Sequence, residues 1–225
     1  MQSRVKLTKR QIKEDKFTAF MLTTRSRIME NWQFYVIGVI AVVLAVVAIS
    51  YYMQSQGGMD EAAEARLTQA MGEYQQGQSH IAILSLQGLI SDYGSTSAAR
   101  QATYMIGLIN YEIKNYPEAI RYWEQYLSRY TSDQMQRAAA HSGIGASYEN
   151  QGDYVSAAAA YQRAFDEYPE NPIAGEYLLD AVRVYLLGGD TQQAQQYLDR
   201  LETEFPNSTY LQKATALFEE LGTQS

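Results

Sequence analysis

The sequence contains no cysteine, and that absence removes several chemistries at once. No disulfide, thiolate metal site, cysteine nucleophile or lipid-modified cysteine after an apolar run is available to it. An envelope protein stabilised by packing alone fits this composition. Histidine is almost as scarce, His80 and His141 being the only two. His80 opens a predicted helix and His141 stands at a packing position inside another, so both are expected to be structural. The sequence has no HExxH, GxSxG, P-loop or Rossmann pattern. The run His141-Ser142-Gly143-Ile144-Gly145 falls mid-helix, where no phosphate-cradling loop forms. Acidic neighbours such as Glu219-Glu220 and Asp166-Glu167 read as solvated helix faces. Neither an enzyme nor a bound cofactor or metal is expected. Proline is confined to Pro117, Pro169, Pro172 and Pro206, all at expected helix starts or inter-unit turns. The long helical stretches between them are therefore unbroken.

Basic charge is missing where acid is plentiful. Residues 1–33 hold eight Lys/Arg against three acids, a sum of +5, whereas residues 54–225 hold ten against 22, a sum of −12. Phosphate contacts need a basic surface, so nucleic-acid binding by the large acidic part is excluded. Between the two lies Phe34 to Met53, 20 residues without a charge, of which 11 are Val, Ile, Leu or Phe. A hydrocarbon core of ~30 Å takes about 20 helical residues, so the run fits one crossing. Trp32 and Tyr35 at one end, with Tyr51 and Tyr52 at the other, suit the two interfaces. Ala48-Ile49-Ser50 resembles a signal-cleavage site, but the apolar run exceeds the ~7–15 residues of a signal core and a long segment precedes it. An uncleaved anchor is expected. The positive-inside bias places the N-terminus in the cytoplasm of a bacterium and residues beyond Met53 outside it, periplasmic if two membranes are present.

Within the leader 1–33, Phe17, Phe20, Met21, Thr24 and Ile28 share one stripe of a predicted helix over 7–31. Arg10, Lys13 and Lys16 lie on its polar side. The candidate surface (Lys13, Lys16, Phe17, Phe20, Met21 and Ile28) suits an anionic leaflet or a docking partner. Residues 54–60, with Gly57-Gly58, are expected to form a flexible tether to a domain over 61–225.

That domain repeats. Ala82, Ala119, Ala157 and Ala194 recur at spacings of 37, 38 and 37, followed four residues later by Leu86, Trp123, Tyr161 and Leu198. An aromatic recurs as Tyr93, Tyr130, Tyr168 and Phe205, and a helix-stopping position as Gly94, Thr131, Pro169 and Pro206. The small residue lets two helices approach, and the large one fills the space between units. Gly152-Asp153 and Gly189-Asp190 mark turns within a unit, Gly ending one helix and Asp capping the next. In the third copy His141, Ile144, Gly145, Tyr148, Ala157, Tyr161, Ala164 and Pro169 occupy the pattern W-x2-L-G-x2-Y…A-x3-F-x2-A-x4-P, with His in place of Trp.

On these residues the region 61–221 resembles the tetratricopeptide repeat family. The resemblance implies that the transmembrane helix read above is followed, in an all-α fold, by a right-handed superhelix of four helix pairs, closed by a helix over Thr209–Leu221. In overall layout the chain is similar to the YfgM-like proteins, ancillary subunits of the SecYEG translocon. That implies a non-enzymatic, membrane-anchored scaffold for protein export or envelope biogenesis. Its partners would be translocon components, periplasmic chaperones or subunits of another inner-membrane complex; an accessory role in such a complex is the alternative. The family's groove positions fall on Leu67, Met71, Tyr74, Gln101, Tyr104, Leu108, Tyr111, Glu112, Glu149, Asn150 and Arg183, among others. With one Arg and no Lys there, a clamp for a C-terminal carboxylate is not expected. The groove tyrosines either anchor an apolar or extended segment or pack between helices.

Overall fold

A computed structural model describes residues 32–221; the leader helix expected over 7–31, with Lys13, Lys16, Phe17, Phe20, Met21 and Ile28, lies outside them. Among the described residues the protein is all-α, with nine helices and no strand. They are α1 (Trp32–Gln75), α2 (Ser79–Tyr93), α3 (Ser97–Glu112), α4 (Tyr116–Arg129) and α5 (Gln134–Asn150). Then follow α6 (Tyr154–Glu167), α7 (Ala174–Leu187), α8 (Thr191–Glu204) and α9 (Thr209–Leu221). The chain divides into two compact units between Gly58 and Met59.

In the first unit, Trp32–Tyr51 is long and apolar enough to cross a membrane, with a mean hydropathy of 2.6. Its Val, Ile and Leu side chains, from Val36 to Ile49, are exposed on every side of the helix. Residues 54–60, whose composition predicts a tether, are helical, and α1 runs through them unbroken. No proline interrupts the ladder there, and the two glycines cost only about 1 kcal/mol each against alanine.

In the second unit the repeat columns take the positions their chemistry demands. Ala82, Ala119, Ala157 and Ala194 are fully buried. Trp123 of α4 shows why neighbouring positions must be small. A Cβ on Gly107 of α3 would lie 2.6 Å from Trp123 Nε1, and one on Gly143 of α5 would lie 2.6 Å from its Cη2. The indole is thus held between two first helices. The same device recurs where Gly145 abuts Tyr161 and Gly175 abuts Tyr210.

The turns inside the four units are superposable in their bonding. Gly77, Gly152 and Gly189 have φ of +77° to +78°, and Lys114 occupies the same place with φ +63°. The following N–H reaches back five residues each time: Gln78 to Glu73 O, Asn115 to Asn110 O, Asp153 to Tyr148 O and Asp190 to Tyr185 O, at 2.8–3.0 Å. This is the closure expected of a left-handed C-terminal residue. Asp153 and Asp190 then cap the next helix, accepting from Ser156 N and Gln193 N at 3.0 Å.

The core is a chain of three clusters rather than one centre, as in a stack whose units touch only their neighbours. Arg137 of α5 ties one junction together. Its Nη1 donates to Leu127 O and Tyr130 O at 2.7 and 2.8 Å, while its Nε and Nη2 hold both oxygens of Glu167. Helix α9 covers the far end, burying Ala214 and packing Leu211, Leu217 and Phe218 against the last cluster.

Candidate protein-binding groove

The first helices of successive units, α1, α3, α5 and α7, are joined side to side by polar contacts at the expected groove columns. Tyr74 of α1 donates its hydroxyl to Glu112 of α3. Asn150 Nδ2 of α5 donates to the Tyr111 hydroxyl of α3 at 3.3 Å and to Ala146 O at 2.8 Å. Arg183 of α7 makes a two-pronged pair with Glu149 of α5, both contacts at 2.8 Å.

Around Arg183 the side chains form a partly buried charge cluster. Its third nitrogen, Nη1, donates to Asp180 Oδ1 at 2.6 Å, and Glu149 also accepts from the Tyr161 hydroxyl at 2.8 Å. One guanidinium therefore serves two carboxylates. Burial pushes Asp180 up to about 6, because its share of Arg183 does not offset the lost hydration. Glu149, also penalised by burial, is brought below the usual carboxylate value by Arg183 and Tyr161. Arg183 is held fully charged by Glu149. The Arg183 guanidinium is thus engaged on three nitrogens by carboxylates of its own chain.

The remaining groove candidates sort by burial. Leu67 is 5% exposed and belongs to the first core cluster, so the groove set loses it: its position faces α2 and α3, not a ligand. Met71 and Tyr74 pack against the same cluster with part of their surface open. Tyr104, Leu108 and Tyr111 pack on the middle cluster. Tyr104 lies 5.6 Å from Tyr126, edge to face, and Tyr111 lies 6.1 Å from Trp123. Burial alone raises the Tyr104 hydroxyl above its ordinary pKa. These tyrosines therefore pack between helices and present only a margin to the groove.

Open space does exist between α3 and α5. A cavity of about 520 Å³ has Arg100, Gln101 and Tyr104 on one wall, and Met135, Gln136 and Ala139 on the other. Met135 is 58% exposed, and Arg100 makes only a 3.5 Å contact with Ser132 Oγ. Sequence reasoning reached Gln101 and Tyr104 through the family columns. It missed Arg100, Met135 and Asp180, which stand outside those columns. Asp180 was findable as the acid one turn before Arg183. His141 is half-buried, 3.9 Å from Glu167, and burial lowers its imidazole below the ordinary value. Among the described residues no group of His, Asp and Glu is arranged to hold a metal ion.

A stack of helix pairs with a continuous face of first helices defines an α-solenoid, a fold that typically serves as a non-enzymatic protein-binding scaffold. Tetratricopeptide repeat models match residues 67–134, 115–172 and 150–218, together most of the chain. The chain belongs to the tetratricopeptide repeat family. Similar solved structures include a tetratricopeptide repeat protein from Parabacteroides merdae, 17% identical, with a TM-score of 0.60 over 73% of this chain and 61% of that one. PilW, a widely conserved type IV pilus biogenesis factor, is 16% identical, with a TM-score of 0.55 over 68% of this chain and 67% of that one. Aspartyl phosphate phosphatase F from Bacillus subtilis is 16% identical, with a TM-score of 0.57 over 71% of this chain and 45% of that one. The chain thus spans less than two thirds of the Parabacteroides protein, and these likenesses concern the fold. No curated protein sequence matches the chain.

Proposed function

We propose that this protein is an inner-membrane-anchored scaffold of a bacterial envelope, its repeat domain outside the cytoplasm, that holds protein segments during export or envelope assembly. The observation that carries the reading is the groove between α3 and α5. Gln101, Gln136 and Arg100 offer hydrogen bonds to a passing backbone, while Tyr104 and Met135 offer apolar contact. Trp32–Tyr51 supplies the anchor, and the basic leader against an acidic repeat domain supplies the orientation. By the layout noted in the sequence, the Sec translocon is the first partner to test.

The test is a crosslinking pull-down from membranes with the full chain and with a chain lacking residues 54–225. Recovery of secretion or envelope components by the full chain alone is expected. Recovery of no such component sinks the export reading. Equal recovery by both chains would move the partner site to the leader and anchor, making the protein an accessory subunit of another membrane complex.

A further inference from the structure

The second helices of the units, α2, α4, α6 and α8, also carry a register, and it has one vacancy. Ser85, Tyr122, Ala160 and Tyr197 occupy one column, at spacings of 37, 38 and 37. Both tyrosines are 7% exposed and bridge to the preceding second helix. The Tyr122 hydroxyl accepts from Gln87 Nε2 of α2 at 2.7 Å, and the Tyr197 hydroxyl donates to Gln162 Oε1 of α6 at 2.7 Å. Tyr197 further stacks on Tyr185 of α7 at 5.4 Å, with the Arg200 guanidinium 6.0 Å from its ring. Ser85 bonds instead to Glu73 of α1.

Between α4 and α6 the bridging ring is absent, because the column holds Ala160. A cavity of about 520 Å³ opens there, lined by Glu124, Leu127, His141, Ile144, Tyr148, Arg163 and the Ala160 methyl. The companions of a tyrosine are nevertheless in place. Glu124 stands in the column of Gln87 and Gln162, Tyr148 in that of Tyr185, and Arg163 in that of Arg200. Among the described residues neither the Glu124 nor the Arg163 side chain makes a hydrogen bond or ion pair, Arg163 acting on His141 through charge alone. The size falls within the ~300–1,000 Å³ of small ligand sites.

We propose that this cavity receives a tyrosine side chain from a partner polypeptide. The ring lies over Ala160 and stacks on Tyr148, and its hydroxyl donates to the Glu124 carboxylate. Glu124 is acceptor-only when ionised, so it favours a ring bearing an O–H over a plain one and repels an acidic guest. Arg163 lines the cavity in the register that Arg200 holds beside Tyr197, adding a cation–π contact to the guest ring. Ile144 and Leu127 supply apolar walls. The internal tyrosines of the flanking junctions serve as the pattern for the guest.

This inference deepens the reading of the repeat domain as a protein-binding scaffold and rests on it. It is tested with N-acetyl-tyrosinamide, and N-acetyl-phenylalaninamide as comparator, by saturation-transfer NMR on the full chain in detergent. The tyrosine amide is expected to bind the wild type and to lose roughly ten-fold in affinity to Ala160→Tyr, which fills the vacancy from within. Glu124→Leu, a surface change, is expected to fold normally and to abolish the preference for the tyrosine amide; it decides the matter if Ala160→Tyr fails to fold. Equal binding to all three proteins, or none to the wild type, overturns the proposal. Running the membrane pull-down with Ala160→Tyr separates the two readings. Partners recovered equally, with amide signals indifferent to residue 160, remove the pocket and leave the scaffold. An Ala160-dependent amide signal without recovered partners supports the pocket and counts against the scaffold.

Discussion

Lys114 stands where the other three units carry glycine, and it is the described non-glycine residue with positive φ. A side chain in the left-handed region costs roughly 1–2 kcal/mol, part of which glycine returns as greater freedom in the unfolded chain. Lys114→Gly is therefore expected to stabilise the protein by about 0.5–1 kcal/mol, read from the denaturant midpoint. Gly107→Ala should do the opposite. Its Cβ would press on Trp123, and the ring cannot retreat because Gly143 lies equally close on its other side. A loss of about 1–3 kcal/mol is expected from thermal unfolding. Asp180 gives a pH signature. Its folded pKa, about 6, lies above the unfolded value, so its contribution is present below the unfolded pKa and is lost as pH rises through about 6. Asp180→Asn should gain on the wild type by up to about 3 kcal/mol between roughly pH 4 and pH 7. A difference that stays flat across that window would place Asp180 in an unperturbed environment. The turn glycines, the caps and the small–large pairing were legible in the sequence because each rests on local geometry or on a repeated spacing. The Glu149–Arg183–Asp180 cluster and the burial of Leu67 were not, because they depend on how far each helix rotates about its own axis relative to its neighbour.

At the scale of whole helices, α1 is the element that composition misdescribed. Polar residues and a Gly-Gly pair read as a coil, yet helix on both sides and the lack of proline carry the backbone bonds through residues 54–60. Helix α9 shows the reverse: its stripe of Leu211, Ala214, Leu217, Phe218 and Leu221 was readable, and those residues pack on the final cluster as an end cap should. In a stack whose units contact only neighbours, damage should remain local. Truncation before Thr209 is expected to raise amide exchange in α7 and α8, whose apolar faces α9 covers, while α3 and α4 keep their protection. A uniform rise in exchange along the whole stack would mean that the domain unfolds as one cooperative body. The vacancy at Ala160 also belongs to this scale. It is visible only when the second helices are laid in register, since α6 by itself is an unremarkable run of alanines.

For the molecule as a whole, the repeat family, the all-α stack and the apolar segment Trp32–Tyr51 define a scaffold with a candidate anchor. Beyond Trp32–Tyr51 acid exceeds base, a balance that favours neutral or basic partners over acidic ones. The polar contacts of Tyr74, Tyr111, Glu149 and Arg183 hold first helices side by side, so the part of the candidate groove that stays open is the space between α3 and α5. The most direct measurement is site-specific photocrosslinking in membranes. It compares a probe at Gln101, inside that groove, with one at Gln196 on the exposed face of α8, in otherwise unchanged full-length chains. Adducts to discrete envelope proteins from Gln101 but not from Gln196 are the expected result. Adducts of equal yield and identity from both positions, or from neither, would contradict a groove that binds protein.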